Sequence, residues 1–129
     1  MTVYLSIEQI EELHEFQVER FGGASGLRDR GALEAAAARP AMTFGGEDLY
    51  PDIPAKAAAL MHSLVMNHPY VDGNKRIGVN TAEFFLELND YRLEASDEEL
   101  EDVTLAVARG EMDAGPLAIW FRQRIQRSD

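Results

Sequence analysis

Residues 68–76 read HPYVDGNKR, and this stretch decides how the chain is organised. On its N-terminal side, Ala55–Asn67 is apolar on nearly all sides of a helical projection, as expected for a buried central helix. On its C-terminal side, Lys75–Leu88 is apolar over most of its surface, while Pro69 and Gly73 interrupt regular structure between the two segments. The sequence therefore predicts two central helices joined by a short polar loop.

Around this pair the sequence predicts further helices. Ser6–Gln9 and Ser96–Glu99 are capping boxes, in which the two end residues satisfy each other's backbone donors at a helix start. Alanine-rich Gly31–Arg39, ended by Pro40, and a last helix after Pro116 bring the total to about six. Apolar faces at helical spacing are formed by Ile7, Ile10, His14, Val18 and Phe21, by Leu100, Val103 and Val107, and by Leu117, Trp120, Phe121 and Ile125. No strand alternation persists for more than a few residues, so an all-α fold is expected.

The segment before the two central helices is not predicted to be helical. Pro40–Pro54 is punctuated by proline and glycine too often for a helix, with Phe44, Leu49 and Tyr50 between them. It predicts an ordered loop or a short hairpin. A long loop in a compact domain is often a functional flap, although a plain connector fits the composition equally well.

The composition limits the classes of function that the chain can have. The chain has 129 residues, 46% of them hydrophobic, which suits a single domain over residues 1–129. A formal net charge of −11 argues against direct nucleic-acid binding, which needs a basic face. No apolar run is long enough to span a bilayer, no signal-peptide pattern follows Met1, and the absence of cysteine is compatible with a reducing cytoplasm, so a cytoplasmic protein without membrane contact is expected. Lysine occurs only at positions 56 and 75, which makes a lysine inside the motif conspicuous.

The end of the motif predicts an anion site. Gly73 and Asn74 lie at the start of the second central helix, where free N–H groups and the helix dipole attract anions. Lys75 and Arg76 follow at once, although cations are disfavoured beside the positive end of a helix. A bound polyphosphate would explain their placement.

The rest of the motif adds further groups of a phosphoryl-transfer or nucleotidyl-transfer site. Asp72 offers a hard oxygen ligand that suits Mg²⁺. His68 is a residue type that accepts protons near neutral pH. A helix-linking turn with solvated charges is the plainer interpretation, but the joint spacing of these groups over nine residues favours catalysis.

The motif resembles the Fic/Doc signature, His-x-Phe-x-Asp/Glu-Gly/Ala-Asn-Gly/Lys-Arg, with Tyr70 in place of the usual Phe. Lys75 is the form found in death-on-curing (Doc) toxins, whereas Fic nucleotidyl transferases usually have glycine there and a second arginine three residues after the first. That slot is Val79 here, again as in Doc. The resemblance extends over most of the chain, including Phe44–Pro51.

By resemblance, the fold is a compact Fic/Doc bundle in which Pro40–Pro51 is a flap that docks a target segment. The implied reaction transfers the γ-phosphate of ATP, with Mg²⁺, to a protein hydroxyl. Catalytic roles are implied for His68 as the general base and for Lys75 and Arg76 as phosphate-stabilising cations. Nucleotide binding is implied for Gly73, Asn74, Lys75, Arg76 and, one helical turn later, Asn80, and metal binding for Asp72.

The resemblance also implies partners. The known Doc target is a threonine of elongation factor Tu, whose modification arrests translation, and Doc toxins are neutralised by Phd-like antitoxins. Two alternatives stay open: a Fic-type AMP transferase, and a protein that blocks translation by binding without catalysis. A Fic-type autoinhibitory segment is not expected, since the nearest match, Thr43–Asp48, ends wrongly.

The remaining polar residues predict structure rather than chemistry. His14 lies within an apolar stripe, which indicates a hydrogen-bonded core histidine, and His62 falls on a different helix face from His68. The acidic runs Glu8–Glu15 and Asp97–Asp102 are expected to be solvated helix faces. Trp120 and its neighbour are expected in the core.

Overall fold

The computed structural model describes residues 1–128, which form six α-helices and two pairs of short strands. The elements are α1 Ile7–Phe21, α2 Arg30–Ala38, β1 Thr43–Phe44, β2 Glu47–Asp48, α3 Ile53–Asn67, α4 Asn74–Leu88, β3 Tyr91–Leu93, α5 Asp97–Ala108, α6 Ala114–Arg122 and β4 Ile125–Arg127. A 3₁₀ turn, Arg39–Ala41, follows α2, so Pro40 lies within this turn rather than ending the helix. The predicted bundle of six helices is confirmed.

Helix α3 is the centre of the bundle, because it packs against α4, α6 and α2. Residues 54–61 are all buried, which explains why apolar side chains occur on every side of this helix. Helix α4 approaches α3 closely at Gly78: a β-carbon placed there would lie 2.5 Å from Val65 Cγ2 and 3.4 Å from the Met61 carbonyl oxygen. Only glycine lets the two helices come this close.

The apolar stripe predicted for α1 is correct at its start and wrong at its end. Ile10 and His14 are buried, but the Phe21 side chain is 57% exposed. Gln17 takes the buried position in the last turns instead, because its amide bonds the loop between α3 and α4. Gly22, with φ of +83°, ends the helix as predicted.

The C-terminal segment departs from the prediction. Ile125 was expected on the apolar face of the last helix, but α6 ends at Arg122 and Ile125 begins β4, which pairs antiparallel with β3. The local spacing is helical, yet pairing with a strand distant in sequence prevails, and three-residue strands are too short to show alternation. Phe121 is buried as predicted, and Trp120 is half-buried beside the core.

The flap segment contains a hairpin, one of the two structures that its composition predicted. β1 and β2 pair antiparallel, Thr43 with Asp48 and Phe44 with Glu47. Gly45 and Gly46 form the turn, and both have positive φ, the conformation that tight two-residue hairpin turns require. The Phe44 side chain is 82% exposed, so the hairpin presents an aromatic ring to solvent.

Two buried or half-buried cations hold the base of the hairpin against α3. Lys56 is 2% exposed, and its ammonium donates to the carbonyl oxygens of Pro40 and Tyr50 at 3.3 and 2.6 Å and to Asp48 Oδ2 at 3.1 Å. All three ammonium donors are therefore used, as burial of a lysine demands. Hydrogen bonds and a partner charge thus fix the flap where it joins the bundle.

The second cation is Arg39, which links the flap to the last turns of α3. Its guanidinium donates to Tyr50 Oη at 2.8 Å, Ser63 Oγ at 2.9 Å and His62 Nδ1 at 3.0 Å. Because arginine only donates, His62 Nδ1 must carry a lone pair. His62 is therefore structural, as predicted.

Within residues 1–128, no helix combines the length and the apolar character that crossing a bilayer requires.

We expect Gly78→Ala to destabilise the fold although alanine favours helix. The added methyl would meet Val65 and force the α3–α4 interface apart, at a cost of about 1–3 kcal/mol. The matched control is Gly115→Ala in α6, where an added β-carbon meets no atom within 4 Å and a gain of up to about 1 kcal/mol is expected. Urea unfolding measures both changes, and equal effects would contradict the close packing at Gly78.

A second prediction concerns pH. Burial lowers the pKa of His62 below its ordinary value of 6.5, the nearby Arg39 charge lowers it further, and Asp113 opposes both. Below pH 6.5 the unfolded chain therefore binds a proton that the folded chain does not, so stability falls as pH decreases through this window and is fully retained above it. His62→Gln should flatten the unfolding free energy between pH 5 and about 7. Superimposable pH profiles for the two proteins would refute this assignment.

Candidate active site

The loop between α3 and α4 is bracketed by two residues in the left-handed conformation. His68 caps the end of α3 with φ of +47°, and Gly73 precedes α4 with φ of +77°. A histidine at positive φ is strained, so its surroundings must hold it there. The two reversals fold the motif into a compact turn between the helices.

The loop is closed by its own asparagine. Asn74 is buried, and its Oδ1 accepts from the Tyr70 N–H while its Nδ2 donates to the Tyr70 carbonyl, each at 3.0 Å. Sequence reasoning placed Asn74 in the anion cradle. Its side chain is instead committed to the loop, so its backbone N–H is the group left for a ligand.

Helix α1 fixes two loop carbonyls. His14 Nε2 donates to the Asp72 carbonyl at 2.9 Å, and its ring stacks on Tyr70 with centroids 3.7 Å apart. Gln17 Nε2 donates to the Gly73 carbonyl at 3.0 Å. A β-carbon on Gly73 would overlap the Gln17 amide, so this position needs glycine for both its φ and its close contact. The prediction of a hydrogen-bonded core His14 is confirmed.

Tyr70 carries the one departure from the family motif quoted above. Its ring is buried, and burial followed by the charges of Glu11 and Glu15 raises the pKa of its hydroxyl. A buried tyrosine hydroxyl usually has a hydrogen-bond partner, but this one has none among the described residues. The ring anchors the loop through stacking on His14 rather than through its polar end.

Arg28 fastens the other side of the loop. Its Nε and Nη2 donate to the carbonyls of His68 and Asn67 at 2.6 and 2.8 Å, so a cation satisfies the C-terminus of α3. The backbone N–H groups of Arg28 and Asp29 both donate to the Pro69 carbonyl. These contacts hold the backbone of His68 in place while its imidazole stays exposed.

No side chain caps the first turn of α4. Helices α1, α2, α3 and α5 each begin at a serine or aspartate whose side chain accepts a backbone N–H, but Gly73 offers no such cap. The side chains of Lys75 and Arg76 are exposed, and neither forms an ion pair within the described chain. The Arg76 guanidinium lies 4.1 Å from the centre of the Phe21 ring. Unsatisfied N–H groups beside unneutralised cations are the features that anion sites in proteins share.

Asp72 stands beside this opening. Its Oδ1 accepts the Gly73 N–H at 2.8 Å and its Oδ2 accepts the Ala24 N–H at 3.3 Å. A β-carbon on Gly23 would lie 2.7 Å from Asp72 Oδ2, so the glycine leaves room for this carboxylate. No cluster of three or more metal-ligating side chains occurs in residues 1–128, but Mg²⁺ commonly uses one or two carboxylates together with phosphates and waters. The donor set fits magnesium held jointly with a nucleotide.

These groups face a cleft of about 850 Å³. Six of the predicted site residues line it on the α4 side: Asp72, Gly73, Asn74, Lys75, Arg76 and, one turn further on, Asn80. His68 is not among the lining residues and stands outside it, at the end of α3. The α5 side is lined by Asp97, Leu100, Glu101, Thr104 and Leu105.

Sequence reasoning missed three parts of this arrangement. Gln17 lies between the apolar positions predicted for α1, and Arg28 lies in a glycine-rich stretch without periodicity. The acidic run of α5 was interpreted only as a solvated face, although two of its carboxylates line the cleft. No local pattern reveals these contacts, because each joins segments far apart in the chain.

Comparisons with known proteins find similar sequences over most of the chain. Residues 4–86 match the Fic/DOC family. Over 120 residues the chain is 41% identical to Toxin Doc of Mycolicibacterium smegmatis, an alignment that covers 92% of this chain and 90% of that protein. It is 30% identical over 120 residues to Protein kinase doc of Escherichia phage P1, covering 93% and 94% of the two chains.

The motif at residues 68–76 lies inside the matched region, and both relatives are covered nearly end to end. The six helices, the flap hairpin and the loop between α3 and α4 agree with the architecture that the motif led us to expect. The chain therefore belongs to the Fic/DOC family.

Proposed function

We propose that this chain is a Doc-type toxin that transfers the γ-phosphate of ATP to a serine or threonine hydroxyl of a protein. The observation that carries the proposal is Lys75 at the open start of α4, exposed and free of ion pairs in the described chain, with Val79 where a Fic transferase has a second arginine. One relative bears the name of a protein kinase, which supports the same reaction.

The α4 start would hold the transferred phosphoryl group. The N–H groups of Asn74 and Lys75 belong to the first turn of the helix, where no intrahelical acceptor exists. Lys75 and Arg76 would neutralise the charge that spreads over the phosphoryl oxygens in the transition state. Asp72 would hold Mg²⁺, which bridges and screens nucleotide phosphates when it is bound.

His68 would act as the general base. The target hydroxyl oxygen attacks the γ-phosphorus, the bond from that phosphorus to the bridging β–γ oxygen breaks, ADP leaves, and the hydroxyl proton passes to the His68 imidazole. The imidazole is exposed and is not among the residues that line the cleft, so a protein substrate can reach it from solvent. Arg28 fixes the backbone of His68, so the imidazole can move only by rotation about its side-chain bonds.

The flap would dock the target. Its hairpin has two strands and two free edges, so an extended target segment can add to it by backbone pairing. Lys56 and Arg39 fix its base, while the exposed Phe44 ring offers an apolar contact. The first candidate substrate is the family target, elongation factor Tu.

Control by a separate partner follows from the same proposal. One relative bears the name of a toxin, which supports a toxin–antitoxin pair with a Phd-like antitoxin as partner. Such an antitoxin would inhibit the protein from outside, since the sequence predicts no Fic-type autoinhibitory segment in this chain.

Isotope transfer tests the reaction. With ATP labelled at the γ-phosphate and elongation factor Tu as substrate, we expect the label on the target, and no label from ATP marked at the α-phosphate. Transfer from the α-position alone would identify an AMP transferase instead. Lys75→Gly should abolish γ-transfer, because it removes a cation at the open start of α4, and circular dichroism of the variant serves as the folding control.

His68→Ala tests the base. We expect kcat to fall by about 10²-fold or more, while the KM for ATP changes little, because the imidazole does not line the nucleotide cleft. The same variant distinguishes catalysis from blocking: growth arrest in cells should disappear with it. Undiminished toxicity would mean that binding, not phosphorylation, arrests the cell.

Phe44→Ala tests the flap. Loss of its exposed ring should raise the KM for the protein target about tenfold, in line with a lost aromatic contact at an interface, and leave the KM for ATP unchanged. The control is Phe16→Ala, which removes another exposed ring, on α1, that does not line the cleft. If both variants behave like the parent protein, the target docks elsewhere.

A further inference from the structure

One surface segment lies along the motif loop. Residues 23–28, which lie between α1 and α2, run antiparallel to that loop, and Leu27 pairs with Tyr70 as an isolated β-bridge. Beside this bridge the Val71 N–H donates to the Gly26 carbonyl at 3.1 Å. Backbone pairing therefore holds the 23–28 segment against the motif, and its two ends reach opposite ends of the loop.

One end of the segment contacts the turn that carries His68. That histidine has φ of +47°, a conformation that residues other than glycine rarely adopt, so it persists only where its surroundings impose it. The Arg28 guanidinium donates through Nε and Nη2 to two consecutive carbonyls, those of His68 at 2.6 Å and Asn67 at 2.8 Å. A guanidinium presents its donors in a rigid fork, whereas a lysine ammonium is a point charge. Arginine is therefore the cation that suits the geometry of this turn.

The other end of the segment reaches the carboxylate of Asp72. The Ala24 N–H donates to Asp72 Oδ2 at 3.3 Å, and the Gly73 N–H donates to Oδ1 at 2.8 Å. Gly23 leaves the space that Oδ2 occupies, because a β-carbon placed on it would lie only 2.7 Å from that oxygen. Each carboxylate oxygen still has a second lone pair. The carboxylate is thus oriented from both sides and remains able to bind a metal ion.

We propose that the 23–28 segment positions the functional groups at both ends of the motif loop. Arg28 sets the backbone that carries the general base, and Gly23 and Ala24 set the Asp72 carboxylate for Mg²⁺. The inference rests on the proposed function, which assigns the base and the metal ligand, and adds three positioning residues that act through them. Backbone pairing between the two ends of the segment keeps their spacing constant.

Gly23→Ala tests the metal-ligand end. Its methyl would displace the Asp72 carboxylate, and a lost partner of a metal ligand typically lowers metal affinity by about 10-fold or more. In calorimetric titrations with Mn²⁺, the variant should therefore bind a non-hydrolysable ATP analogue about tenfold more weakly than the parent protein. In EDTA both proteins should bind the analogue equally, which also shows that the variant is folded.

The control for this titration is Gly110→Ala. Gly110 also has positive φ, at +76°, so alanine is strained there as it is at Gly23. No atom lies within 4 Å of the β-carbon that would be added at Gly110. This variant should bind the analogue like the parent protein in both titrations.

Arg28→Lys tests the base end, because lysine keeps the charge but cannot bind both carbonyls in the forked geometry. We expect kcat to fall about tenfold or more while the KM for ATP stays unchanged, since a small misplacement of a reacting group is costly. The NMR chemical shifts of His68 Cα and Cβ, which depend on φ, should also change, and this measurement needs no substrate. The control is Arg30→Lys, the same substitution at an exposed arginine whose contacts are surface ion pairs with Glu11 and Glu34.

The outcomes separate this inference from the proposed function. If Gly23→Ala binds the analogue with Mn²⁺ as the parent does, or if Arg28→Lys retains both kcat and the His68 shifts, the inference is wrong and the proposed reaction stands. Equal changes in the variants and their controls would also overturn it, because general destabilisation would then explain them. If the parent protein transfers no phosphoryl group, the proposed function fails, yet the Mn²⁺ titration and the His68 shifts still decide the inference.

Discussion

Two carbonyl groups at the turn between α3 and α4 are held against α1, and the character of the site follows from this constraint. A peptide group is planar, with its carbonyl and N–H pointing in opposite directions. Because Gln17 binds the Gly73 carbonyl, the N–H of Asn74 must point away from α1. His14 holds the Asp72 carbonyl in the same manner. The interactions that stabilise the loop therefore also turn its donors outward.

The local electrostatic potential at the site has the opposite sign to that of the molecule as a whole. The chain carries a formal net charge of −11, so a polyanion approaching from a distance is repelled. At the start of α4, two cations without ion-pair partners in the described chain and the positive end of a helix dipole reverse this sign over a few ångströms. Salt screens the long-range repulsion more than the short-range attraction, so moderate ionic strength would help the proposed nucleotide reach the cleft.

The sequence predicted the elements that local patterns encode. The capping boxes at Ser6 and Ser96, the buried central pair and the polar loop between its members are all present. Contacts between distant segments could not be predicted, such as Arg28 on the end of α3 or the strand formed by Ile125. The motif gave the residue types of the site, but tertiary packing decided that Asn74 supports the loop with its side chain and that α5 forms the facing wall.

The burial of Lys56 has a practical consequence. With its ammonium enclosed by two carbonyls and a carboxylate, this amine is out of reach of reagents in solution. The sequence has only one other lysine, so Lys75 is the single lysine amine that solvent reaches. Apart from the exposed α-amino group of Met1, Lys75 is therefore the one amine of the described residues that acylating or imine-forming probes reach. Once the α-amino group is blocked, a fluorophore or crosslinker can be attached to Lys75 at the edge of the cleft.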